Sequence, residues 1–266
     1  MYKTLRLGDR GADVAYLQRQ LVAAGARIDA DAIYGSATRD AVVAFQASHG
    51  LVADGIAGPK TWATLAAGRR DPRHLTDADL QRAADRLKVD LAAVRAVNEV
   101  ESRGAGFLPD GRPVILFERH VMYRQLAAAG LDADALAAKY PGVVNRKRGG
   151  YAGDAAEYAR LASASQISAA CALEATSWGA FQIMGFHWNA LGYPNVFAFV
   201  EAMKASEAEQ LEAFVRFVVA DKAMLAALRG KKWAKFAELY NGKAYAEHLY
   251  DVKLERAFDR YSRVAA

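Results

Sequence analysis

Between Gly8 and Leu65, apolar residues recur at three- and four-residue intervals in three short runs. The first carries Val14, Leu17 and Leu21, the second Ala41, Val42 and Phe45, and the third Trp62 and Leu65. Residues so spaced share one face of an α-helix, so each run predicts a short amphipathic helix. The turn Gly8-Asp9-Arg10-Gly11 precedes the first. The pattern Asp-x-Ile-x-Gly-x-x-Thr then occurs twice, as Asp31/Ile33/Gly35/Thr38 and Asp54/Ile56/Gly58/Thr61. Each copy sets a glycine-containing turn ahead of a helix with Thr in its first turn. Two copies are too few for a solenoid. Residues 1–68 therefore predict a compact three-helix bundle built on a duplicated turn-helix unit.

Residues 69–76 form the expected linker, charged and interrupted by Pro72. Thr76 with Asp79 predicts a capping box at the start of a second domain, residues 77–266. Helical periodicity there predicts helices over roughly 77–86, 90–102, 118–129, 132–138, 153–164, 167–175, 178–190, 196–203, 206–228, 231–240 and 243–262. Strand patterning is scarce. Pro113-Val114-Ile115-Leu116-Phe117 is the best short candidate, with a buried helix entry as the alternative. The fold class expected is mainly α, a small bundle linked to a large helical domain.

Helix 90–102 places a carboxylate on its apolar side. At 100° per residue, Leu87, Leu91, Val94, Asn98 and Glu101 share one stripe, while Glu99 falls on the opposite flank beside Arg95. A carboxylate on a core-facing stripe loses water, which is expected to raise its pKa towards what a general acid needs near neutral pH. A solvated or ion-paired side chain at a helix end is the plainer reading of the same position.

Composition narrows the chemistry. The chain has 266 residues, 53% hydrophobic and 24% charged, with only six prolines, which describes a folded protein that leans towards helix. Its net charge of +5 suits an anionic polymer such as cell-wall material. Nucleic acid is not expected, because no Lys/Arg run alternates with stacking aromatics. Arg146-Lys147-Arg148 is expected to be a solvated loop. Cys171 is alone, so no intramolecular disulfide forms, which suggests manufacture in a reducing compartment. The N-terminus shows no apolar segment like a secretion signal, and no run of about 18 apolar residues offers a membrane span. His49, His74, His120, His187 and His248 are scattered without metal-ligand spacing, so neither metal nor cofactor is expected. No Ser nucleophile elbow occurs, and Cys171 has no catalytic signature. Carboxylate chemistry remains.

Two resemblances sharpen this picture. Leu7-Gly8-Asp9-Arg10-Gly11, Val14, Leu17-Gln18, Leu21, Tyr34-Gly35, Thr38, Ala44-Phe45-Gln46 and Asp54-Gly55-Ile56-Ala57-Gly58 resemble the peptidoglycan-binding type 1 domain. That resemblance implies a wall-binding role without assigning contact residues. In the second domain, Glu101-Ser102, Ser177-Trp178-Gly179-Ala180-Phe181-Gln182-Ile183-Met184-Gly185 and Tyr240-Asn241-Gly242 resemble goose-type lysozymes and lytic transglycosylases. With Phe107–Pro113, Ile115–His120 and Arg148–Tyr151, the fuller pattern is similar to the N-acetylmuramidase domain of modular phage endolysins.

This resemblance implies a lysozyme-like catalytic domain acting on peptidoglycan glycan strands, with Glu101 as general acid. It implies a sugar cleft lined by Ser102, Trp178, Gln182, Tyr240 and Asn241. Of the last pair, Tyr240 is the expected partner near Glu101, since Asn-Gly after a helix also reads as an ordinary stop. Most glycosidases use two carboxylates, yet no Asp announces itself. Glu118 is the auxiliary candidate, with an internal ion pair as its alternative. A monomeric muramidase made in the host cytoplasm, which later reaches the wall, is the expectation. A lytic transglycosylase forming 1,6-anhydromuramyl products, or a non-catalytic wall-binding or phage structural protein, is the alternative.

Overall fold

The computed structural model describes residues 2–102 and 105–264, so Met1 and the last two residues of the expected domain bounds lie outside it. The chain forms two compact units, one up to Arg82 and one from Ala83 onward.

In the first unit, α1 (Ala12–Ala23), α2 (Ser36–Ser48) and α3 (Pro59–Ala67) enclose Leu5, Val14, Leu17, Leu21, Tyr34, Val42 and Trp62. The duplicated sequence pattern has a duplicated hydrogen-bond network behind it. Gln18 Nε2 donates to Asp31 Oδ1 (2.8 Å), the Ile33 carbonyl (3.1 Å) and Thr38 Oγ1 (2.8 Å), while its Oε1 accepts from Ala32 N–H. Gln46 Nε2 repeats this with Asp54 Oδ1 (2.8 Å), the Ile56 carbonyl (3.0 Å) and Thr61 Oγ1 (3.1 Å), its Oε1 accepting from Gly55 N–H. Asp and Thr recur because each Gln needs one carboxylate and one hydroxyl acceptor to fix its turn. Both glutamines are buried, so the cost of breaking either network is high. Gln18→Leu is expected to lower the stability of this unit by roughly 2–3 kcal/mol. Urea unfolding of the full chain with Trp178, Trp188 and Trp233 replaced by Phe, followed by the fluorescence of the remaining Trp62, checks this.

The segment after α3 is held by local bonds: Arg70 donates to the carbonyls of Asp71, Pro72 and His74, and Arg73 pairs with Asp71. The expected capping box is present. Thr76 N–H donates to Asp79 Oδ2 (2.8 Å) and Asp79 N–H to Thr76 Oγ1 (3.3 Å), opening α4 (Asp77–Leu87). The two units divide inside α4.

The second unit continues with α5 (Leu91–Glu101), β1 (Ile115–Phe117), α6 (Arg119–Ala128), α7 (Ala133–Lys139), α8 (Glu157–Ser165) and α9 (Ala169–Glu174). It then runs through β2 (Thr176–Trp178), β3 (Ile183–Met184), α10 (Val196–Ala205), α11 (Glu207–Ala220), α12 (Lys222–Arg229), α13 (Trp233–Asn241) and α14 (Tyr250–Val264). The three strands form one small antiparallel sheet in the order β1-β2-β3. The short strand candidate is thus β1. Buried Phe117, Trp178, Phe199, Phe214 and Phe236 fill the interior. Packing of α5 is heaviest on α14, through Ala92 and Ala96 against Ala257 and Tyr261.

Three expected helices differ. Residues 178–190 form β2, a tight turn, β3 and a 3-10 turn at Gly185–His187 instead of one helix. Gly179 (φ 72°) and Gln182 (φ 49°) are both left-handed, which ends helical hydrogen bonding. The run 206–228 breaks at Asp221, whose side chain accepts from Ala223 and Met224 N–H and caps α12. The run 243–262 begins as a 3-10 turn to His248, and α14 starts only after Leu249 turns left-handed at φ 53°.

Candidate active site

Glu101 is the last residue of α5, and Ser102 caps the helix by donating its N–H to the Asn98 carbonyl. The helix forms because Ala92, Ala93, Val94, Ala96 and Val97 bury its body, and that burial carries Glu101 inward until only 8% is exposed. Glu99, on the other flank, is claimed by Arg260 and by the Tyr261 hydroxyl. The helical pattern therefore separates the two glutamates as expected: one is an ion pair and the other faces a cavity.

The cavity holds about 290 Å³. The turn after β2 forms one wall with Phe181 and Gln182, and β3 and the 3-10 turn add Met184 and His187. Phe217 of α11, Tyr240 and Asn241 of α13 and Tyr250 complete it. Asn241 Nδ2 donates to Glu101 Oε1 at 3.0 Å. Tyr240 lies in the same wall, but its hydroxyl donates to the Phe181 carbonyl at 2.6 Å. Tyr240 thus lies near Glu101 as expected, but the hydrogen bond to the carboxylate comes from Asn241, and the Tyr240 hydroxyl fixes the turn opposite. Burial, followed by the negative charge of Glu101, pushes the Tyr240 phenol well above its ordinary pKa, so it remains a donor. Removing the Asn241 donor is expected to slow cleavage about ten- to a hundred-fold, given about 1.5–3 kcal/mol for a hydrogen bond to a charged group. The rate of peptidoglycan clearing by Asn241→Leu checks this.

Gln182 lines the cavity with its amide engaged in the turn. Its Oε1 accepts from Ser177 Oγ (2.8 Å) and its Nε2 donates to the Gly179 carbonyl (2.8 Å). It shapes the wall by supporting a left-handed turn. Trp178 and Ser102 are buried outside the lining. Trp178 pairs with Ile115 and Ile183 in the sheet and donates its indole N–H to the Leu173 carbonyl. Glu118 also lies outside the lining. It is buried at the start of α6, accepts from the Tyr151 hydroxyl (2.9 Å), and has Arg148 and His120 beside it at 3.4 and 3.1 Å. That is the internal ion-pair arrangement. In the basic loop, Arg148 thus faces Glu118 and Arg146 pairs with Asp134.

Sequence reading missed the supports of the cavity. Gln210 of α11 is buried; it accepts from Ala180 N–H (2.7 Å) and donates to the carbonyls of Met203 (2.9 Å) and Gly106 (3.3 Å). Glu207, also buried, accepts from Gly106 N–H at 2.9 Å. A Cβ on Gly106 would lie 2.1 Å from Gln210 Oε1, and one on Gly179 2.4 Å from Gln210 Cδ. Those glycines are the signal, legible only once the long side chain between them is known. Glu157 similarly anchors β1, accepting from Phe117, Ala152 and Gly153 N–H and from Arg160. Burial alone would raise its pKa, yet these donors hold it below the ordinary value.

Among the described residues no group of three or more His, Cys, Asp or Glu side chains could hold a metal, and no helix is long and apolar enough to cross a membrane. A larger hollow of about 530 Å³ lies in the first unit between α1 and α2. Its one lining carboxylate, Asp40, is exposed and paired to Arg39, so acid–base chemistry has no buried donor there.

A mainly helical unit with a small antiparallel sheet, and a helix-terminal glutamate buried in a cavity, define the class: a lysozyme-like glycosidase. A model of the N-acetylmuramidase family matches residues 90–262, and one described as a peptidoglycan binding domain matches residues 10–65. The chain belongs to the N-acetylmuramidase family and is a modular peptidoglycan hydrolase of the endolysin type. It is similar to the Burkholderia AP3 phage endolysin, whose crystal structure is 89% identical, with 100% of each chain covered and a TM-score of 0.94. It is also 39% identical over 85 residues to the zinc D-Ala-D-Ala carboxypeptidase of Streptomyces albus G. That match takes in 30% of this chain, which spans about a third of that relative (33%).

Proposed function

We propose that Glu101 is the general acid that protonates the leaving O4 in hydrolysis of the β-1,4 bond between N-acetylmuramic acid and N-acetylglucosamine. The carrying observation is the Glu101 carboxylate, buried in the cavity wall with its Oε1 held by Asn241. A buried acid at the wall of the cavity lies where its proton can reach the glycosidic oxygen as the bond breaks. Tyr240 and Gln182 keep the opposing turn in place, so the sugar meets a preformed surface. The first unit would hold the enzyme on the polymer and raise the local concentration of cleavable bonds. The enzyme acts as a monomer made in the host cytoplasm; the buried, unbridged Cys171 fits manufacture in a reducing compartment.

The experiment is mass spectrometry of purified peptidoglycan after digestion. Hydrolysis leaves reducing muramyl ends. Predominant 1,6-anhydromuramyl ends, formed when the muramyl 6-hydroxyl attacks in place of water, would replace this reading with a lytic transglycosylase.

A further inference from the structure

In inverting hydrolysis, where water attacks the anomeric carbon directly, a second group takes a proton from that water, and in most such glycosidases it is a carboxylate. Among the residues lining the cavity, Glu101 is the one carboxylate. The other ionisable groups there are Tyr240, Tyr250 and His187. Tyr240 has committed its hydroxyl to the Phe181 carbonyl, and a phenol is a weak proton acceptor near neutral pH. His187 is different. It closes the 3-10 turn after β3, and its ring is set by Phe217 edge-on at 4.9 Å and by Phe186 at 4.2 Å. Among the described residues none hydrogen-bonds its ring nitrogens, although the ring lines the cavity. Aromatic contacts thus orient an imidazole whose polar atoms are left for whatever enters.

We propose that His187 is the second catalytic group, its imidazole accepting the proton of the water that attacks the anomeric carbon. The proposal rests on Glu101 as the acid. As the water oxygen bonds to C1 and the C1–O4 bond breaks, one proton passes from water to His187 and one from Glu101 to O4. The resulting imidazolium and carboxylate exchange a proton through solvent, which restores both.

Burial holds the His187 pKa below its ordinary value, so the ring is neutral and able to accept at neutral pH. Of the charged groups on the elements packed on this turn, Glu209 of α11 is exposed and the others have partners elsewhere. Glu174 of α9 accepts from Trp188, Glu201 of α10 pairs with Lys204, and on α11 Arg216 pairs with Glu212. Cys171 of α9 is buried.

The test uses the full chain with His187→Ala and His187→Gln, whose melting temperatures establish folding. Initial rates on purified peptidoglycan are measured from about pH 4 to 9, and products are read by mass spectrometry. The expected result is a fall in kcat of about 10²–10⁴-fold, the usual contribution of a general base, with little change in KM. The acid-side fall of the pH profile should disappear, and added imidazole should partly restore His187→Ala. A wild-type rate in either variant overturns the proposal. So does a slow variant that keeps the wild-type acid limb and is not rescued by imidazole, because that is the signature of a packing residue. Glu101→Gln is measured alongside: if it is active, the acid assignment fails, whereas an inactive Glu101→Gln beside a fully active His187→Ala overturns only the base.

Discussion

Glu101→Gln is expected to abolish peptidoglycan clearing while leaving the protein folded. The substitution keeps the shape of the side chain and an oxygen that can accept from Asn241 Nδ2, so the cavity wall is preserved. The transferable proton is lost. General acid catalysis contributes about 10²–10⁴-fold, which at 1.36 kcal/mol per tenfold is roughly 3–5 kcal/mol of barrier. Turbidity loss of permeabilised Gram-negative cells and dye release from purified peptidoglycan both read the rate. Thermal unfolding should show a melting temperature within about 4 °C of wild type, the change that about 1 kcal/mol produces in a domain this large. Equal clearing by the variant would remove Glu101 from the reaction and leave the cavity without its acid.

Gln210→Leu is expected to have the largest effect on stability. Three backbone groups lose their partner together: the Ala180 N–H and the carbonyls of Met203 and Gly106. Each buried orphan costs about 1–3 kcal/mol, so a loss of roughly 3 kcal/mol or more follows, corresponding to a melting temperature lower by about 6–12 °C. Activity should fall well below the melting transition too, because Ala180 leads directly into the Phe181–Gln182 wall. The two compact units need not unfold together, so the shift must be read on the transition that Gln18→Leu leaves unmoved. An unchanged melting temperature would show that water or a shifted backbone replaces all three bonds.

Much of this was legible in the linear sequence for local reasons. The three-helix unit follows from helical periodicity and its duplicated turns, and the capping box at Thr76 and Asp79 is a contact between residues three apart. The separation of Glu99 from Glu101 needs only the angle between neighbours on a helix. The hairpin at 176–184 was hidden because its apolar residues also fit a helical period. What overrides that pattern is the left-handed backbone at Gly179 and Gln182, which Ser177 and Gln210 sustain from other positions. Glu118 looked like a partner for Glu101 because its segment was familiar. Its carboxylate is instead satisfied by Tyr151 and faces Arg148, thirty-odd residues away along the chain.

By itself the sequence determined the mainly helical class, the wall-binding module, the muramidase family and the glutamate that faces inward. Those features depend on composition, short spacings and motifs, all properties of neighbours along the chain. Only the tertiary structure decided that Asn241 holds Glu101 while Tyr240 holds the turn, and that Gln210 ties the loops around the cavity. It also put His187, from a segment expected to be helical, into the same cavity as Glu101. These choices depend on which side chain reaches which partner across 30 to 140 residues of chain. No period or propensity records such distances, because they are set by how the helices pack.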